Sequence, residues 1–122
     1  MSKFVIRNVA SGVKFDLKAS NGETILTSEV YTTEAACRNG VESVMTNAPV
    51  ANVEILTVEG YETLSHPKFE MYQDKAGEFR FRLKDRNGQI IAVSEGYTAK
   101  AGCLNGIESV KKNAGDAEIV AE

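Results

Sequence analysis

The chain repeats itself. The phrase CRNGVESV begins at Cys37, and CLNGIESV begins at Cys103, 66 residues later. With the chain aligned to itself at that offset, 19 of the 35 positions from Lys14 to Ala48 match identically. Self-similarity at a fixed period is the mark of one module used twice. It constrains the fold more than any other feature, because whatever one copy does the other must be able to do beside it. The pair Lys3-Phe4 matches Lys68-Phe69 at an offset of 65, so the first turn of the two copies differs by one residue.

Each copy reads as β-β-β-α-β. The run from Lys3 to Val9 forms the first strand. In VKFDLKA, Val13, Phe15, Leu17 and Ala19 alternate with Lys14, Asp16 and Lys18, the period of a strand with one buried face. FRFRLKD repeats that pattern in the second copy. Asn21-Gly22 and Asn87-Gly88 then predict a hairpin with a type I′ turn. Thr32 and Thr98 suit a helix N-cap, with helices expected over Thr33–Thr46 and Ala99–Lys112. On a wheel of about 100° per residue, Cys37, Gly40, Val41, Val44 and Ala48 share one face. Gly40 and Gly106 therefore lie inside helices, where glycine costs roughly 1 kcal/mol against alanine. A close approach to the sheet backbone is the expected reason. Pro49 and Gly115 stop the helices, and NVEILTV and AEIV read as fourth strands.

The expected fold is α+β: one antiparallel sheet with two helices packed on it. The expected organisation is a single domain over 1–122, with repeat one at 1–58, a linker at 59–67 and repeat two at 68–122. A copy of roughly 55 residues is near the lower limit for folding alone, so the repeats are expected to share the sheet as an internal pseudo-dimer within a monomer.

The stretch FRFRLKDRNGQIIAVSEGYTAKAGCLNGIESVKKNAGDAEI, with its counterpart from Lys14 to Ile55, resembles the YegP-like family of small bacterial tandem-repeat proteins of unknown function. The resemblance implies that each copy's last strand is exchanged into the other half. It implies no established activity. The irregular RNVASG of the first copy departs from the most repetitive members.

Composition narrows the function. A formal charge of −3 over 122 residues gives no global attraction to phosphate and argues against nucleic acid as a partner. No apolar run approaches the 18 or so residues of a membrane span, and the start MSKFVIRN lacks the apolar core of a signal peptide, so a cytoplasmic location is expected. Cys37 and Cys103 recur on the apolar helix face and read as reduced, buried thiols. His66, the only histidine, lies in the linker without a partner for chemistry. No phosphate loop, metal-ligand cluster or nucleophile elbow is present, so no cofactor is expected.

Three sets of polar residues remain as candidates. Asn39, Glu42 and Ser43 recur as Asn105, Glu108 and Ser109, while their neighbours Arg38, Met45 and Thr46 change to Leu104, Lys111 and Lys112. This strip reads as a pair of binding sites, as side chains that hold an exchanged strand or the loop between copies, or as positions that have not yet diverged. Glu29 and Tyr31 recur as Glu95 and Tyr97 and could orient the helix start. Lys14, Lys18, Arg80, Arg82 and Lys84, with Lys3, Arg7, Arg86 and Tyr72, could make one sheet face basic. Such a face would resemble a platform for single-stranded nucleic acid, although Asp16 and Glu70 share it and basic outward residues usually form a solvated sheet face. The function expected is a non-catalytic binding or interaction module. The alternatives are single-stranded nucleic-acid binding through the basic face and an enzyme with paired sites on the helices.

Overall fold

The computed structural model describes residues 2–122. Eight strands form one sheet: β1 (Lys3–Val9), β2 (Gly12–Lys18), β3 (Thr24–Thr27), β4 (Asn52–Ile55), β5 (Lys68–Gln73), β6 (Phe79–Lys84), β7 (Ile90–Val93) and β8 (Glu118–Ala121). Their order across the sheet is β4-β5-β6-β7-β3-β2-β1-β8. Two helices, α1 (Glu34–Asn47) and α2 (Lys100–Asn113), pack on one face, and each tightens at its end into a 3-10 turn, Ala48–Val50 and Ala114–Asp116. Among the described residues no helix is long and apolar enough to cross a membrane.

The fourth strands are exchanged. β4 pairs with β5 of the other repeat, and β8 returns to pair with β1. Both pairings are parallel, so the expected antiparallel sheet holds for the six inner strands and the exchanged edges make it mixed. A helix lies between β3 and β4, and such a crossover lets the chain re-enter the sheet in either direction. The repeats meet at the centre through β3 and β7, which pair antiparallel at Thr27 and Val93. Those two positions are equivalent at the 66-residue offset, so the pseudo-twofold axis passes between them.

The core lies between sheet and helices. Phe4, Phe15, Leu17 and Leu26 and their equivalents Phe69, Phe81, Leu83 and Ala92 are buried with Cys37, Val41 and Val44 of α1 and Cys103, Ile107 and Val110 of α2. The alternation and the helix stripe thus face one another, as the sequence requires.

Local details depart from expectation in three places. The Asn-Gly turns are not type I′, because no residue other than glycine has positive φ among the described residues. Gly22 N–H donates to Ala19 O at 2.9 Å and Gly88 N–H to Asp85 O at 3.0 Å. Gly22 and Gly88 have φ of +86° and +81°, as in a type I turn closed by a glycine bulge. Asn therefore sits at an ordinary turn position and only the glycine needs the left-handed region. The helix caps fall one residue later than expected. Thr33 caps α1 through its hydroxyl to Ala36 N–H at 3.1 Å, and the equivalent Ala99 offers α2 no side-chain cap. Finally, Gly40 and Gly106 are buried, but the groups they make room for are aromatic side chains. A Cβ on Gly40 would collide with the Tyr31 hydroxyl and stand 3.1 Å from Phe15 Cε2. At Gly106 it would meet Tyr97 and Phe81 in the same way.

Candidate functional site

The repeated Ser-Glu-x-Tyr-Thr segment explains how the halves meet. Ser28 Oγ accepts from Phe15 N–H at 2.9 Å and donates to Glu29 O at 2.7 Å, ending the β2–β3 ladder with a side chain. Ser94 does the same with Phe81 and Glu95. The chain then leaves the sheet and is caught once more, by paired backbone hydrogen bonds between Tyr31 and Val13 and between Tyr97 and Phe79, 2.7–2.8 Å long. The rings of Tyr31 and Tyr97 stack on Phe15 and Phe81 at 6.4 Å between centroids. Tyr31 and Tyr97 thus anchor the entry to each helix. Buried Ser28 and Ser94 were not singled out by sequence reasoning. Their identity in both copies was the signal.

This arrangement opens two clefts. Ser28 and Ser94 N–H groups donate toward β2 and β6. By the alternation of an antiparallel ladder, Glu29 would next face Ile91, and Ile25 would face Glu95. Neither pair forms, since the β3–β7 ladder is confined to Thr27 and Val93. The backbones diverge on either side of the axis and leave a wedge at each end. One cleft, of about 540 Å³, is lined by Glu29 and Tyr31 of repeat one and Lys84, Gln89 and Ile90 of repeat two. The other, of about 400 Å³, is lined by Glu95 and Tyr97 of repeat two and Glu23, Thr24 and Ile25 of repeat one. These linings correspond under the 66-residue offset. The clefts differ in charge, because Gln89 stands where the other has Glu23 and because Lys84 lines the first while its equivalent Lys18 does not line the second.

Each cleft is lined by a glutamate and by a tyrosine whose hydroxyl lies against a helix glycine, Gly40 or Gly106. Burial pushes the Tyr31 hydroxyl above its ordinary value, reinforced by Glu29. Burial acts likewise on Tyr97, with Cys103, Glu95 and Glu23 adding to it. Both phenols therefore stay protonated at neutral pH. The thiols lie elsewhere: Cys37 and Cys103 are free and fully buried, as expected. Burial pushes the Cys37 thiol up and raises that of Cys103 to about 11. A thiol so raised is a poor nucleophile. His66 is exposed in the linker, with its imidazole beside Gly88.

The polar helix strip is only partly assembled into a site. Glu42 and Ser43 line a groove of about 320 Å³ between α1 and the β6–β7 turn, with Asn47, Asp85, Arg86 and Asn87. Asn39, Asn105 and Glu108 are exposed, and Ser109 is half-buried. The serines have local work: Asn47 Nδ2 donates to the Ser43 backbone O at 2.8 Å and to its Oγ at 3.1 Å, and Asn113 Nδ2 to the Ser109 backbone O at 2.9 Å and to its Oγ at 3.4 Å. These amides close the last helical turn on itself.

The basic stripe is largely neutralised across the strands. Arg82 and Lys84 bind Glu70 at 2.6 and 3.1 Å, and Arg80 binds Asp74 at 2.7 Å. Tyr72 lies under the Arg82 guanidinium at 4.7 Å, and Asp16 takes Arg7 at 2.8 Å. Lys14 and Lys18, half-buried on β2, form no ion pair among the described residues. Arg7, Arg80, Arg82 and Lys84 are thus each held by a carboxylate on this side of the sheet.

Comparison with known proteins agrees with this architecture. A family model, Domain of unknown function (DUF1508), matches residues 9–54 and again 74–120. The chain is 39% identical over 105 residues to a UPF0339 protein of Photorhabdus laumondii, covering 86% of this chain and 79% of that protein. It is 66% identical over 53 residues to a UPF0339 protein of Treponema denticola, covering 43% of this chain and 91% of that protein, so one repeat spans nearly all of that relative. The solution structure of yegP from E. coli, described as a protein of unknown function, superposes with a TM-score of 0.80 at 32% identity, over 99% of this chain and 92% of that one. The chain therefore belongs to the DUF1508, or UPF0339, family, a family of unknown function that this protein enters with two copies of its module.

Proposed function

We propose that the protein is a non-catalytic binding module, monomeric and cytoplasmic, that presents one polar cleft per repeat at the seam. The observation that carries this reading is the pairing of the clefts. Glu29 with Tyr31, and Glu95 with Tyr97, were kept in both copies and face residues of the opposite repeat. A ligand would place a donor against the carboxylate, with its apolar part on Ile90 or Ile25. The reading is further supported by how the reactive side chains are used. The thiols are buried and raised, and Glu54, Glu70 and Asp74 are held below the usual carboxylate range in the presence of cations. None of these groups is left as a base near neutral pH. The free thiols fit a reducing compartment.

The test is a nuclear magnetic resonance screen of the ¹⁵N-labelled chain against a library of small polar fragments. Hits are expected to move the amides of Glu29, Tyr31 and Gln89 or of Glu95, Tyr97 and Glu23. Glu29→Gln is expected to weaken the first group and Glu95→Gln the second. Hits that map elsewhere, or that ignore both substitutions, would overturn the reading.

A further inference from the structure

The linker gives one edge of the sheet a feature the other lacks. β4 and β8 are both edge strands, equivalent in the two repeats. Asn52 N–H donates to Pro67 O and Leu56 N–H to Met71 O, at 3.1 and 2.9 Å. The ladder's alternation therefore turns the backbone groups of Val53 and Ile55 away from β5, to the outer side of the edge strand. Ile55 O is taken by Val58 N–H in the turn that follows. Among the described residues nothing takes the N–H and C=O of Val53 or the N–H of Ile55, which leaves a free strand edge. Beside it the linker folds back and forms a groove of about 280 Å³, in which Val53, Ile55, Val58, Tyr61 and Leu64 supply the apolar wall. Val58 and Tyr61 are each 45% exposed, among the few large apolar side chains the fold leaves in water.

A free edge supplies main-chain hydrogen bonds, and an adjacent apolar groove supplies side-chain selectivity. Together they are the two requirements for binding an extended peptide by strand addition. Charge selects the occupant. Glu62 lines the groove and Glu59 precedes it in the linker; both are exposed and neither is ion-paired among the described residues. The nearby cations are committed: Lys68 is buried against Glu54, and Lys111 binds the Ala51 carbonyl. The opposite edge is acidic too, with Asp116, Glu118 and Glu122 about β8. Edge-to-edge pairing of two copies would bring like charges together, which disfavours a second copy as the occupant.

We propose that β4 and the linker groove form a docking site for an extended segment of another protein in which apolar and basic residues alternate. The apolar residues would enter the groove over Val58 and Tyr61, and the basic ones would meet Glu59 and Glu62. This surface is separate from the seam clefts, and its test does not depend on them.

The probe is the capped peptide acetyl-Lys-Val-Lys-Val-Lys-Val-amide, titrated into the ¹⁵N-labelled full chain, with the Glu-for-Lys peptide as control. Saturable shifts are expected at Val53, Ile55 and Val58 to Leu64, with the control at least tenfold weaker. Val53→Pro removes the free N–H, and Tyr61→Ala removes part of the wall without touching the sheet. Each is expected to weaken binding about tenfold or more. Ile119→Pro, at the equivalent place on β8, is expected to leave it unchanged. Shifts centred on β8, equal binding of the acidic peptide, indifference to Tyr61→Ala, or dimerisation of the chain through β4 would each overturn the proposal.

Discussion

Where β1 meets β8, Val5 lies beside Val120; at the same place in the other half, where β5 meets β4, Glu70 lies beside Glu54. Both pairs are on the sheet face away from the helices. The apolar pair needs nothing more. The acidic pair is buried with Lys68, whose ammonium stands 2.9 Å from Glu54 and 3.5 Å from Glu70. Burial alone would raise the Glu54 carboxyl, but the Lys68 ammonium and the Leu64 N–H hold it below its ordinary value. The linker accounts for the difference. It crosses only this half of the face and brings backbone groups that need partners: Leu64 N–H donates to Glu54 at 2.6 Å, and Leu64 O accepts from Lys68 at 3.2 Å. The inner face of the module is common to both copies because both cover it with a helix. The outer faces diverged because only one has a strap to hold.

The largest test separates the halves altogether. Residues 1–62 contain β4 but not β5, and residues 65–122 contain β8 but not β1. Each fragment therefore carries an exchanged strand without its acceptor, and buries too little to offset its chain entropy. Expressed alone and melted by circular dichroism, each is expected to be unfolded or dimeric, the dimer rebuilding the exchange from two identical modules. Two monomeric fragments, each melting cooperatively near the whole protein, would refute this.

A finer test removes the cation. Lys68→Met leaves Glu54 and Glu70 buried without their shared partner and is expected to cost about 3 kcal/mol in urea unfolding at pH 7. The equivalent Lys3→Met is expected to cost under about 0.5 kcal/mol, since Lys3 is exposed. The sign with pH follows from the carboxylates. Glu54 and Glu70 are held below their ordinary values, so the stability they contribute is full above the unfolded carboxyl range of about 4.3 and is lost as pH falls through their folded values. In Lys68→Met the Glu54 carboxylate, left without a cation while Glu70 keeps Arg82 and Lys84, becomes neutral on acidification. Its deficit should shrink between pH 7 and pH 4, and a deficit independent of pH would contradict a buried-charge origin.

The smallest effect concerns the caps. Thr33→Ala is expected to lower stability by about 1 kcal/mol. Ala99→Thr is expected to raise it by up to about that much, by giving α2 the cap that α1 already has. No gain from Ala99→Thr would mean that the two helix starts are less alike than their backbones.

The parts of this structure legible in the sequence were those written along one segment. Phe15 and Leu17 alternate with charged residues, and Cys37, Val41 and Val44 recur at helical spacing, so strand, helix and buried face all follow. Features that join distant segments were less accessible. Asn-Gly suits both a type I′ turn and a glycine bulge, and the choice depends on residues around it. Nothing local to NVEI says that β4 pairs with β5; only the family resemblance implied the exchange. Arg80, Arg82 and Lys84 looked like a free basic stripe because their neutralising partners, Asp74 and Glu70, come from the adjacent strand and the turn between them. The seam clefts were half visible. Glu29 and Tyr31 stood out by repetition as Glu95 and Tyr97, while Gln89, which faces the first pair, and Glu23, which faces the second, did not.

The exchanged strands also bear on where such a chain need begin. β4 runs beside β5 as β8 runs beside β1, with Ile55 level with Met71 and Ala121 level with Ile6. The step from β4 through the linker to β5 is thus the step that would carry β8 on to β1. The fold is a ring of two modules with one join made. A circular permutant that starts at Lys68 and bridges Glu122 to Ser2 with a second copy of the linker would keep every strand pairing, and would place a strap over Val5 and Val120, where none has had to be held.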